Sequence, residues 1–136
     1  MNIDFIIKSL ADNKETAAVI SETKTYTNAE ILQKYKNSLK VMEENSIVQG
    51  GIVALRADYS AESIAFLLAL IKNDCIVVPI SKTVINFDKL LEISQSEFVF
   101  DYTGESNSIK VTGNKASHKM LLEVRKRKSP GLILFS

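Results

Sequence analysis

Four stretches of this sequence are apolar without interruption: Ile52 to Leu55 (IVAL), Cys75 to Ile80 (CIVVPI), Phe98 to Phe100 (FVF) and Leu132 to Phe135 (LILF). A strand with one wet face alternates apolar and polar residues. A strand covered on both faces need not, and such strands belong to parallel sheets sandwiched between helices. Segments of helical period separate the four runs, the alternation expected of an α/β domain. The sequence therefore predicts an α/β fold with three layers: a mostly parallel sheet flanked by helices, with an N-terminal β-hairpin. In this reading Leu132 to Phe135 is an interior strand.

The helical segments have recognisable starts and faces. Ile3, Ile6, Ile7 and Leu10 share one side of a short helix by their spacing. Ala17 to Ile20 and Lys24 to Thr27 form the hairpin, turning at Glu22 and Thr23. Thr27 and Glu30 have the spacing of a capping box, in which hydroxyl and carboxylate each accept the other residue's backbone N–H. The helix that follows, to Glu44, carries an apolar stripe of Ile31, Leu32, Tyr35, Leu39 and Met42. Ser60 is a candidate N-cap for a helix to about Lys72, with Glu62 in its first turn. That helix is apolar on every side from Ala65 to Ile71, which predicts burial on more than one face. A short helix is expected from Asn86 to Ser94, and Ser108 to Thr112 alternates as an edge strand does. His118 to Lys128 reads as a last helix, with Met120, Leu121 and Val124 on its apolar side.

Composition excludes several functional classes. The chain of 136 residues has 17 Lys and Arg against 16 Asp and Glu, so its net charge of +1 gives no field to attract nucleic acid or an anionic membrane. Arg125 to Lys128 is a dense basic run without interleaved aromatics. It is read as the end of a helix, where cations complement the dipole and reach the last carbonyls. The only cysteine, Cys75, permits no intramolecular disulfide and sits in an apolar run, as a core residue does. The only histidine, His118, is read as a helix-start residue. No Cys/His cluster suggests a metal site, and Gly50-Gly51 precedes a strand, unlike a dinucleotide fingerprint. The start of the chain has Asp4 and no long apolar stretch after a basic beginning, so no secretory leader is expected. The run from Ile64 to Ile71 is far short of the ~20 residues that span a bilayer. A cytoplasmic protein is expected.

Three stretches, in their order and spacing, resemble the adenylate-forming (AMP-binding) superfamily of acyl-CoA synthetases, aryl-CoA ligases and nonribosomal peptide synthetase adenylation domains. YTNAEIL, Tyr26 to Leu32, is similar to that family's opening helix motif. SAESIAFLLALIKNDCIVVPIS, Ser60 to Ser81, is similar to its helix–strand pair, with Asn73-Asp74 where the family usually has Ala-Gly and Ser81 where it often has Asp. PGLILFS, Pro130 to Ser136, looks like the strand that runs into the family's Ser/Thr/Gly-rich phosphate loop.

The resemblance implies the N-terminal part of a large domain, residues 1–136, ending just before that loop, with Ser136 as a candidate first residue of the phosphate site. It implies an intact enzyme that uses ATP and Mg²⁺ to form an acyl-adenylate and CoA or a phosphopantetheine arm as acceptor. No catalytic or metal-ligating residue falls within these 136 residues, and no cofactor is expected to bind them alone. The partner implied is the remainder of the same enzyme, and a homo-oligomer through exposed apolar surface is expected in its absence. A stand-alone, non-catalytic α/β module that binds a protein or small ligand remains the alternative.

Overall fold

The structure is a computed structural model that describes residues 3–104 and 106–136. Its elements run α1 (Asp4–Asp12), β1 (Ala17–Ile20), β2 (Thr25–Thr27), α2 (Asn28–Glu44), β3 (Ile52–Arg56), α3 (Ala61–Lys72), β4 (Ile76–Ile80), α4 (Phe87–Ser94), β5 (Phe98–Tyr102), β6 (Asn107–Val111), α5 (Lys119–Lys126) and β7 (Gly131–Leu132). Strands β1 and β2 form the antiparallel hairpin, and the other strands form a sheet in the order β6-β5-β3-β4-β7. Strand β3 is parallel to β4 and β5, β4 is parallel to β7, and β6 is antiparallel to β5.

Both faces of the central strands are covered, which explains why they do not alternate. On one face Val53, Leu55, Val77, Phe98 and Phe100 pack with α1, α2 and α3. On the other, Ile52, Ala54, Ile76, Val78 and Val99 pack with Phe87, Leu90 and Leu91 of α4 and Leu121 and Val124 of α5. Phe66 of α3 stacks on Phe100 of β5 at the centre of the first face. Burying a side chain of this size contributes about 1.5–3 kcal/mol.

The helix starts follow the sequence. Thr27 Oγ1 accepts the N–H of Glu30 at 3.3 Å, and Glu30 Oε1 accepts the N–H of Thr27 at 3.3 Å. Ser60 caps α3 in the same reciprocal way, with Ser63 standing where an acid is usual. The helix ends use a device without its common signal. After α2 and α3 the chain turns through left-handed Ser46 (φ 57) and Asp74 (φ 53), and α4 ends in the same way at Gln95 (φ 55). In each case the next N–H reaches back five residues, as in Cys75 N–H to Leu70 O at 3.0 Å. Glycine usually takes this position because it has no Cβ to clash.

Three sequence expectations need correction. Leu132 to Phe135 is not an interior strand. Strand β7 is assigned only over Gly131–Leu132 and lies at the sheet margin, with β4 as its single neighbour. The Ile133 N–H still donates to Val77 O at 2.9 Å, but Leu132 and Leu134 are 60% and 68% exposed. The run is apolar because Ile133 joins the α4–α5 core while Leu132 and Leu134 turn to the opposite face. Met120 is exposed, since α5 docks through Leu121 and Val124. Arg125 does not reach its own helix's last carbonyls. It crosses to Gly50 O through Nε at 3.0 Å and to the Glu97 carboxylate through Nη2.

Candidate functional site

Parallel strands end on the same side, and open α/β sheets bind ligands at that carboxyl edge. The register aligns Arg56 with Ile80 on one side and Asp101 on the other. The edge therefore gathers the ends of β3, β4 and β5 with the segment that follows β7.

A cleft of about 600 Å³ opens there on the α3 face. Leu55, Ile64, Leu67, Pro79, Leu132 and Leu134 make most of its wall, with Asp58, Ser63 and Ser81 at the polar margin. The alternation of β4 places Pro79 here: Val77 and Pro79 share the α3 face, and Pro79 is exposed in the cleft. A neighbouring hollow of about 690 Å³ lies between the hairpin and the start of α3, and shares Tyr59 and Ile64 with the first. Its floor includes Tyr102, whose phenol burial and the nearby Glu62 charge push upward in pKa. Burial works to raise the Glu62 carboxyl too, but the Lys34 ammonium at 2.8 Å more than offsets this and leaves it below the ordinary carboxylate range. That ion pair ties α2 to α3 at the rim.

On the α4 face, Arg56, Phe87, Asp101 and Lys110 border a third cleft of about 550 Å³. The Arg56 guanidinium lies over the Phe87 ring, 4.3 Å from its centroid, and approaches Asp101 at 3.7 Å.

Ser136, the sequence-predicted phosphate-loop residue, is exposed beyond β7 and lines none of these clefts. Among the described residues, no three His, Cys, Asp or Glu side chains come together as a metal site. Asp101, the carboxylate at the end of β5, already faces Arg56. The aliphatic wall of the first cleft suits an apolar body better than a phosphate.

Cys75 is fully buried, and burial pushes its thiol up to about 11. His118 is the N-cap of α5, its Nδ1 accepting the Met120 N–H at 3.2 Å. Sequence reasoning missed Arg56, Glu97 and Gln95. Gln95 Oε1 accepts the N–H groups of Ser117 and His118 at 2.8 and 2.9 Å. A charged residue closing an otherwise apolar strand was the available signal for Arg56.

No family model and no curated protein matches this sequence. Solved structures do match. The N-terminal subdomain of NpsA from Klebsiella oxytoca superposes with a TM-score of 0.69 at 21% identity, over 97% of this chain and 37% of that one. An artificially fused adenylation–PCP di-domain of a nonribosomal peptide synthetase, NpsA-ThdA from the same organism, gives 0.67 at 18% identity, over 97% and 22%. IdnL1 gives 0.68 at 14% identity, over 87% and 28%. The chain shares the fold of these proteins and spans little more than a third of their length at most. Among the described residues no helix is long and apolar enough to cross a membrane.

Proposed function

We propose that this chain is the N-terminal, sheet-bearing part of an enzyme that activates a carboxylate as its adenylate. In that reaction a carboxylate oxygen attacks the α-phosphorus of ATP, the bond to the β-phosphate breaks, and pyrophosphate leaves. A thiol then attacks the acyl carbon and AMP departs. The observation that carries this reading is the superposition of 97% of the chain on an adenylation-enzyme subdomain. The stretches that carry the sequence resemblance fall on the cap of α2, the α3–β4 unit and the segment at β7.

Within that enzyme this part is scaffold. Its motif residues cap helices and fill the core, and function resides in sites rather than in folds. ATP and Mg²⁺ would be held by the remainder of the enzyme, completing the carboxyl edge beyond Ser136. Coenzyme A and a carrier protein's phosphopantetheine are both suitable acceptors. The exposed Leu132 and Leu134 are the proposed seat of that remainder, and without it they would favour self-association.

The test is carboxylate-dependent ATP–pyrophosphate exchange. The full product of the gene is expected to catalyse it with some member of an acid panel, and the 136-residue chain is not. Exchange by the short chain would refute the scaffold role. No exchange by the full product with any acid would refute the enzyme assignment.

A further inference from the structure

The two margins of the sheet differ in kind. Strand β6 is mostly polar and carries Lys110. Charged side chains of this sort keep an edge from pairing with another chain. The opposite margin is β7. From Ser129 to Ser136 its segment has no charged side chain, and Leu132 and Leu134 are exposed.

The hydrogen bonds fix which peptide groups of this edge face outward. The Gly131 and Ile133 N–H groups donate inward, to Cys75 O at 3.1 Å and Val77 O at 2.9 Å. Successive residues of a strand turn their peptide groups to opposite sides, so those of Leu132 and Leu134 face away from β4. The Leu134 N–H meets no acceptor among the described residues. An uncharged edge with a row of unpaired donors and acceptors is a template for another strand.

The pattern of this edge complements itself. We propose that two copies of this chain pair antiparallel through β7, about a two-fold axis at Ile133. In that register Leu132 of each copy lies opposite Leu134 of the other. Both residues present outward peptide groups, so each opposed pair exchanges both of its N–H···O bonds. A slip of one residue would set Leu132 opposite Ile133, whose N–H already serves Val77 O. Leu132 and Leu134 line the same cleft, and the axis sets the two clefts side by side on one face of a continuous sheet. Strand β6, with its Lys110, then forms both outer margins, so association closes at a dimer. The claim concerns the 136-residue chain and stands apart from the adenylation reading; a remainder seated on β7 would displace the second copy.

The test is sedimentation equilibrium over a concentration series, which should show monomer and dimer without larger species. Leu134→Pro removes the outward N–H and no bond to β4. Leu134→Ala removes similar apolar surface but keeps the N–H. The proline variant should dimerise at least about ten-fold more weakly than the alanine variant, because each copy loses a hydrogen bond across the axis. Leu134→Lys puts a charge on the edge and serves if the proline variant does not fold; it should also dimerise more weakly than the alanine variant. In a sample mixing labelled and unlabelled copies, an isotope-filtered NOE between the two Ile133 Hα protons should report the register. A monomer at every concentration, growth beyond a dimer, equal dimerisation of the alanine variant and the folded proline or lysine variant, or a dimer without the Ile133 NOE would each overturn the proposal.

Discussion

Removing the Glu97 carboxylate should destabilise this protein more than any surface ion pair does. Glu97 Oε1 accepts the backbone N–H of Ile52 at 3.1 Å as well as Arg125 Nη2, and the Glu97 N–H donates to Ile52 O at 2.8 Å. The carboxylate thus joins the start of β3 to the start of β5 and pins α5 against both. Ile52 is fully buried, so Glu97→Ala leaves its N–H without a partner, at a cost of about 1–3 kcal/mol. Arg125 loses its counter-charge while still about two-thirds buried, which adds about 1 kcal/mol. The expected total is about 2–4 kcal/mol, read as a shift in urea midpoint by far-UV circular dichroism at unchanged m. A cycle with Arg125→Met should show a coupling of about 1–2 kcal/mol. High salt should leave the coupling largely intact, unlike that of the exposed Lys8–Asp12 pair. A loss below about 0.5 kcal/mol for Glu97→Ala, the range of ordinary surface substitutions, would refute this reasoning.

Other perturbations follow from the same structure. Thr27→Ala removes the cap of α2 and should cost about 1 kcal/mol in the same urea assay. Ser46→Gly relieves a left-handed residue whose side chain is exposed. It should stabilise by about 0.5 kcal/mol once the looser unfolded chain is allowed for. Gly50→Ala should destabilise, because φ is +78 and the new Cβ would stand 3.0 Å from Arg125 Cγ, displacing the side chain that Glu97 holds. The folded state holds the Cys75 proton to about 11 against an ordinary 9.0, chiefly through burial. The folded form therefore binds the proton more tightly, so this contribution to stability is present below pH 9.0 and is lost as pH rises toward about 11. Alkylation of Cys75 near neutral pH should be slower in the native protein than in urea by at least about 100-fold, since burial both raises the thiol pKa and bars the reagent.

The sequence carried the sheet well and its margin poorly. Continuous apolar runs revealed β3, β4 and β5 because burial on both faces is written into residue type. The same signal misplaced Leu132 to Phe135, since an apolar run reports that its faces avoid water and not how many strands flank it. Thr27 and Ser60 were legible because caps use local hydrogen bonds at fixed spacing. The left-handed ends at Ser46, Asp74 and Gln95 were not, because none is glycine. Long-range partners were least legible. Arg125 and Glu97 lie 28 positions apart, and nothing local to either residue indicates the other. Arg56 likewise becomes notable only when Phe87 and Asp101 are seen around it.

The adenylation reading requires further polypeptide beyond the strand margin. Reading the codons that follow Ser136 in the gene tests it most directly. An open frame that continues into a Ser-, Thr- and Gly-rich loop closed by a lysine is the predicted result. A stop codon immediately after Ser136 would contradict it and leave a free-standing binding module in its place.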